Sequence, residues 1–190
     1  LTADDRYERD NFGSRVSGLL SLNVRLGRFS SARADYDTRN NRSRLSLQTL
    51  QGQGVGSFNL SADVERSDTS AGTSVNANYF ANRAELGFSH FGTYTDGFGS
   101  SIAQRSAVRA ATSFAFADGA FSMGRPIYDS FAIIKGHKSL KGSNVVVEPT
   151  PHGRTADTGI LNAATQPNMS SYSERTISVD APQAPGGFDL

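Results

Sequence analysis

The sequence predicts an all-β fold of antiparallel strands, on three observations. Apolar and polar residues alternate at period two in one segment after another between residues 20 and 116. Clusters rich in Gly, Asn, Asp and Ser separate those segments, as turns require. No run approaches the roughly 18 apolar residues of a membrane helix, the longest being Phe131–Ile134 and Val145–Val147. Helical spans are therefore excluded, whereas barrel strands, whose signal is alternation, are not.

Each element follows from its own pattern. Leu20, Leu22, Val24 and Leu26 alternate with Ser21, Asn23 and Arg25, so aliphatic and polar groups occupy opposite faces of one strand. Ala32, Ala34 and Tyr36 repeat this against Arg33, Asp35 and Asp37, and Thr38–Arg42 supplies a turn. Leu45 and Leu47 then oppose Arg44, Ser46 and Gln48 up to the breaker Gly52–Gly56. Phe58, Leu60, Ala62 and Val64 alternate with Asn59, Ser61, Asp63 and Glu65. After the loop 67–73, Val75, Ala77 and Tyr79 oppose Ser74, Asn76 and Asn78. A reversal near Ala81–Asn82 leads to Ala84, Leu86 and Phe88 against Glu85, Gly87 and Ser89. Residues 96–101 read as a loop, and Val108 to Phe116 as one further strand ending at Asp118–Gly119, a dipeptide suited to a type I′ turn. Helical spacing competes poorly, because Arg25, Asp35, Asn76 and Arg109 would fall inside any apolar stripe drawn at 3.6.

The character of the sequence changes near Arg125–Pro126. All the lysines (Lys135, Lys138, Lys141) lie beyond it, and of the arginines only Arg154 and Arg175 do. Apolar runs become continuous there, as in strands buried on both faces of a small sandwich, and prolines accumulate. A domain boundary is expected at this point, giving 1–125 and 126–190. The opening LTADDRYERDNFG has no initiator Met, basic region or apolar core of a signal peptide, so the chain is expected to be a fragment.

Composition narrows the function. The 190 residues suggest one domain or one and a part. Against 18 acidic residues stand 19 basic ones, a net charge of +1 without the basic excess of a nucleic-acid binder. The chain has no Cys, which removes disulfides, thiolate zinc sites and cysteine nucleophiles.

No constellation of side chains points to catalysis. His90, His137 and His152 are scattered without the convergent donors of a metal site. Gly52-x-Gly-x-Gly56 has a strand after it where a phosphate cradle needs a helix, so it reads as a turn. Asp4–Asp5 lies in a polar stretch without strand character and reads as solvated surface. There is no Gly-x-Ser-x-Gly elbow, and the sequons at Asn41, Asn59 and Asn168 fall in sequence rich in Asn and Ser. The informative polar feature is a set of charges on one side of the strands: Arg25, Arg33, Asp35, Arg44, Asp63, Glu65, Glu85 and Arg109. They face bulk water in a soluble sandwich, or a water-filled lumen in a membrane barrel with the aliphatics outward. Pattern alone does not separate the two.

The segment Phe114–Ile134, FAFADGAFSMGRPIYDSFAII, resembles the bacterial fimbrial outer-membrane ushers, in which a hairpin with a DG-like turn leads to an RPI-x-DSFA stretch where the barrel gives way to the first periplasmic C-terminal domain. Tyr172–Asp180 followed by Pro185–Leu190 is similar to a second pattern of that family, with Arg175 in place of the usual Asn and Ala184 in place of the usual Leu. The resemblance is specific over 114–190 and general over 1–113.

It implies an antiparallel transmembrane β-barrel segment, about eight strands in 14–124, followed by a partial β-sandwich in 126–190. The expected protein is a non-enzymatic part of the pore and platform that secretes and assembles pilus subunits in the Gram-negative outer membrane. Its expected partners are periplasmic chaperone–pilus subunit complexes and outer-membrane lipid, with no nucleic acid, cofactor, metal or small-molecule substrate. No binding residues are assigned. A complete small outer-membrane barrel and a soluble adhesive β-sandwich are the competing readings.

Overall fold

A computed structural model describes residues 2–10, 13–140, 143–151 and 153–184, with the side chains of 3–16 left outside the description. His152, Lys141 and the Pro185–Leu190 motif also lie outside the described residues, as do the Asp4 and Asp5 side chains. The fold is all-β and its paired strands are antiparallel.

Eight strands in chain order form one meander: β1 Thr2–Asp10, β2 Gly13–Arg25, β3 Ser30–Asp37, β4 Arg42–Leu50, β5 Phe58–Arg66, β6 Ser70–Phe80, β7 Glu85–Thr95 and β8 Ser100–Ala111. Each pairs with its neighbour in sequence, and β1 and β8 do not pair with each other among the described residues. The register places like with like. Leu22 lies opposite Ala34, Ala34 opposite Leu45 and Leu45 opposite Val64, while on the other face Asn23, Arg33, Ser46 and Asp63 form a polar row. A one-residue slip at any pair would mix the two faces, so the alternation itself fixes the register.

Local chemistry closes the turns. Asp37 Oδ1 accepts the Arg39 amide at 2.8 Å, an Asx turn, and Asn41 follows at φ 45°. Ser67 N donates to Ser70 O at 2.7 Å. Asp118 and Gly119 take φ 46° and 69°, as the type I′ reading requires, joining β9 Ser113–Ala117 to β10 Ala120–Gly124.

Two expectations change. The N-terminal stretch read as lacking strand character is β1, paired along its whole length with β2 from Thr2↔Ser21 to Asp10↔Gly13. Its nine residues carry little alternation, and the ladder to a neighbour supplies what local pattern does not. The single strand expected over Val108–Phe116 is broken at Thr112, and β8 begins within the expected 96–101 loop. Thr112 Oγ1 is bonded to Arg83 O at 2.7 Å and Gly124 O at 3.1 Å, which turns the backbone out of the large sheet and into the β9–β10 hairpin.

The remaining strands are short: β11 Ser130–Lys135 pairs with β14 Ala163–Met169, and β12 Val146–Val147 lies between β13 Ala156–Asp157 and β15 Val179–Asp180. Short 3-10 turns occupy Lys138–Leu140 and Gly159–Leu161. By contacts the chain divides into residues 1–51, 59–78 and 87–108 as one unit, and 52–58, 79–86 and 109–190 as the other.

The two units hold their apolar residues differently. In the second, Val147, Ala156 and Ala164 are buried with Ile134 and Ile177 against them, and Leu140, Val145 and Ala181 form an adjoining cluster. Gly124 is required here, because a Cβ at this position would lie 2.7 Å from Thr165 Cβ. In the first unit the large apolar side chains of one sheet face are exposed, among them Leu20, Leu22, Val24, Leu45 and Phe88.

Candidate functional site

The polar face of the first unit is where the charges expected from the sequence converge. Asp35 accepts Arg33 Nε at 2.8 Å and also the Ser21 hydroxyl. Asp63 accepts Arg44 Nη2 at 2.8 Å and the Ser46 hydroxyl at 2.7 Å. Glu65 is bonded to Arg42. Arg44 sits directly opposite Glu65 in register yet reaches diagonally to Asp63, leaving Glu65 to Arg42. These bonds tie β2 to β3 and β4 to β5, with Asp35 and Arg44 facing each other in register between the two pairs. The apolar face is open: Leu45 is 56% exposed, as much as the Arg33 and Arg44 side chains on the polar face at 55% and 49%.

Of the other expected charges, Arg25 folds back on its own turn, donating to Gly27 O at 3.1 Å and Arg28 O at 3.4 Å. Glu85 and Arg109 belong to the second unit. Arg42 joins the ladder although the sequence places it in a turn; its spacing of two from Arg44 is the signal that puts both on one face.

The histidines do not converge. His90 Nδ1 is 2.8 Å from Ser106 Oγ and His137 Nδ1 is 2.8 Å from Ser139 Oγ, both local contacts. The sequon amides serve turns and strand ends: Asn59 Oδ1 accepts the Gln51 amide at 3.0 Å and Asn168 Oδ1 the Tyr128 amide at 3.1 Å, while Asn41 bonds Asp68 and Tyr36.

The second unit contains a network that sequence reasoning does not assemble. The glycine cluster is a turn in which Gly52 and Gly56 take φ 95° and 85°, and Val55 N donates to Arg154 O at 2.7 Å. Asn82 grips Asp157 twice through its backbone, Nδ2 donating to O at 2.9 Å and Oδ1 accepting N at 2.9 Å. Arg154 Nε donates to Asp157 Oδ2 at 2.6 Å. Arg83 donates to Thr158 O at 2.9 Å and Met123 O at 3.3 Å, and Arg125 donates to Gln53 O and to Thr155 O at 2.9 Å. Burial pushes the Arg125 guanidinium below its ordinary pKa, against the opposing pull of Glu85.

Asp129, at the start of β11, accepts both the hydroxyl and the amide of Ser171, the latter at 3.2 Å. These bonds hold its carboxyl below the ordinary value of 3.8. A depressed folded-state pKa means the tie is complete above the ordinary aspartate value and is lost as the pH falls through the folded one. A carboxyl NMR titration is expected to place the Asp129 midpoint below 3.8, with the Ser171 amide shift following the same curve; a midpoint at or above that value would show that Ser171 does not hold it.

No family model, curated protein or solved structure matches the chain.

Proposed function

We propose that this chain is part of a bacterial outer-membrane usher, contributing late barrel strands and part of the first C-terminal periplasmic domain to the pore and platform that assembles pilus subunits. The observation that carries the reading is the two-faced sheet, with exposed aliphatics on one face and hydrogen-bonded charge pairs on the other. In a bilayer the first face is solvated by acyl chains and the second by lumenal water. Strand lengths agree with it: β2 to β8 run from 8 to 13 residues, bracketing the roughly 9 to 11 needed to cross a membrane at a tilt. The resemblance of the stretches Phe114–Ile134 and Tyr172–Asp180 to usher motifs supports the choice of family.

On this reading the open meander is an arc of a larger barrel, and residues 126–190 are part of a periplasmic domain. The protein performs no covalent chemistry. It holds chaperone-delivered subunits side by side so that one strand replaces another, a form of β-strand addition. The test is migration in detergent gels: unheated protein recovered from outer membranes is expected to run as a compact, faster band that shifts on boiling. Stable solubility without detergent would instead establish a soluble sandwich, with the charge ladder facing bulk water.

A further inference from the structure

Two arginines of the second unit hold backbone carbonyls, and one of them, Arg125, is buried. Arg125 is 6% exposed, and its donors meet only neutral carbonyls, Gln53 O and Thr155 O, with the Phe80 ring 5.9 Å from the guanidinium carbon. Arg83 repeats the arrangement with Thr158 O and Met123 O. Among the described residues neither forms a salt bridge, and the carboxylate of Asp157 is engaged by Arg154. Burying a cation against neutral acceptors loses hydration that a pair with a carboxylate would partly replace. Together with Asn82, which bonds Asp157 three times, the two arginines hold the segment Arg154–Thr158.

The same segment is also held from within. Thr155 N donates to Val147 O and Thr158 N to Val145 O, both at 3.0 Å, so β13 stays attached to β12 by bonds that involve no arginine. We infer that Arg154–Thr158 is a strap that undocks as a unit from the Gly52–Ser57 and Ala81–Ala84 turns while remaining paired with β12, and that Arg125 and Arg83 are the latches that set how often it opens. The inference concerns a motion inside the second unit and is independent of the usher reading. It gives the glycine turn a role as a seat for the strap.

Amide hydrogen exchange of the full chain in detergent micelles reads the two sets of bonds separately. Val55 and Asp157 donate across the docking surface, to Arg154 O and Asn82 Oδ1, whereas Thr155 and Thr158 donate into β12 and its flank. The Val55 and Asp157 amides are expected to exchange at least about tenfold faster than those of Thr155 and Thr158. Arg125→Lys keeps the charge but replaces the planar fork that spans two carbonyls. It is expected to speed the first pair by about tenfold more and leave the second unchanged. A single common rate for all four amides in the native chain would overturn the strap, as would a variant that accelerates all four equally. The native comparison needs no variant and decides the matter alone if Arg125→Lys does not fold.

Discussion

On the proposed reading, Leu45→Arg is expected to cost about 2–4 kcal/mol and to abolish the heat-modifiable form in outer-membrane preparations, because the cation would stand where the sheet meets hydrocarbon. Leu45 lies between Ala34 and Val64 on the apolar face, with Leu22 one strand further, so the arginine has no polar neighbour in its row. Ser61→Arg on the ladder face is expected to leave assembly intact, since that side is wet and already carries Arg33 and Arg44. The contrast discriminates sharply. If the sheet stood in bulk water, a residue 56% exposed would tolerate arginine within about 0.5 kcal/mol. Equal tolerance at Leu45 and Ser61 in an assembly assay would remove the membrane from the proposal.

Thr158→Val is expected to destabilise the second unit by about 2–3 kcal/mol, although it changes the side chain's volume very little. Thr158 is fully buried, and its hydroxyl accepts the Val145 amide at 2.9 Å while donating to Asn144 Oδ1 at 3.0 Å. Valine leaves a buried N–H without an acceptor, and the hydrophobic gain is too small to offset it. Thr158→Ser keeps both bonds and loses one methyl, about 0.8 kcal/mol. Pulse proteolysis across a urea series should rank native above Ser and Ser well above Val; a Val variant as resistant as the Ser variant would show that the hydroxyl is dispensable.

Where the fold depends on neighbours in sequence, the residues announce it. Leu20 to Leu26 and Phe58 to Val64 state their two faces outright, Asp118–Gly119 states its turn, and the charges Arg33, Asp35, Arg44, Asp63 and Glu65 fall on the side that alternation assigns them. Strand β1 is silent because Thr2–Asp10 carries few apolar residues and is strand only through its ladder to β2. The break at Thr112 is silent for a different reason: Arg83 O and Gly124 O, which turn the chain there, come from 29 and 12 residues away. The strap is least legible of all. Arg125 meets Gln53 from 72 residues distant and Asn82 meets Asp157 from 75, and nothing local distinguishes a buried arginine that binds carbonyls from the many that face water. The glycines of the turn are visible as punctuation, but that Val55 donates to Arg154 O, 99 residues on, is a fact of tertiary approach.

The ladder on the polar face has a consequence for anything that moves past it. Each of its carboxylates is closed on a guanidinium, Asp35 on Arg33, Asp63 on Arg44 and Glu65 on Arg42, so the ladder itself is made of small dipoles and not of isolated charges. The potential of a dipole decays with distance faster than that of a single charge, and at physiological salt the Debye length of about 8 Å trims what is left. A polypeptide sliding along such a surface meets hydrogen-bonding groups at contact range and almost no field beyond it. It is wetted without being held, and its friction is set by its own shape and not by its charge.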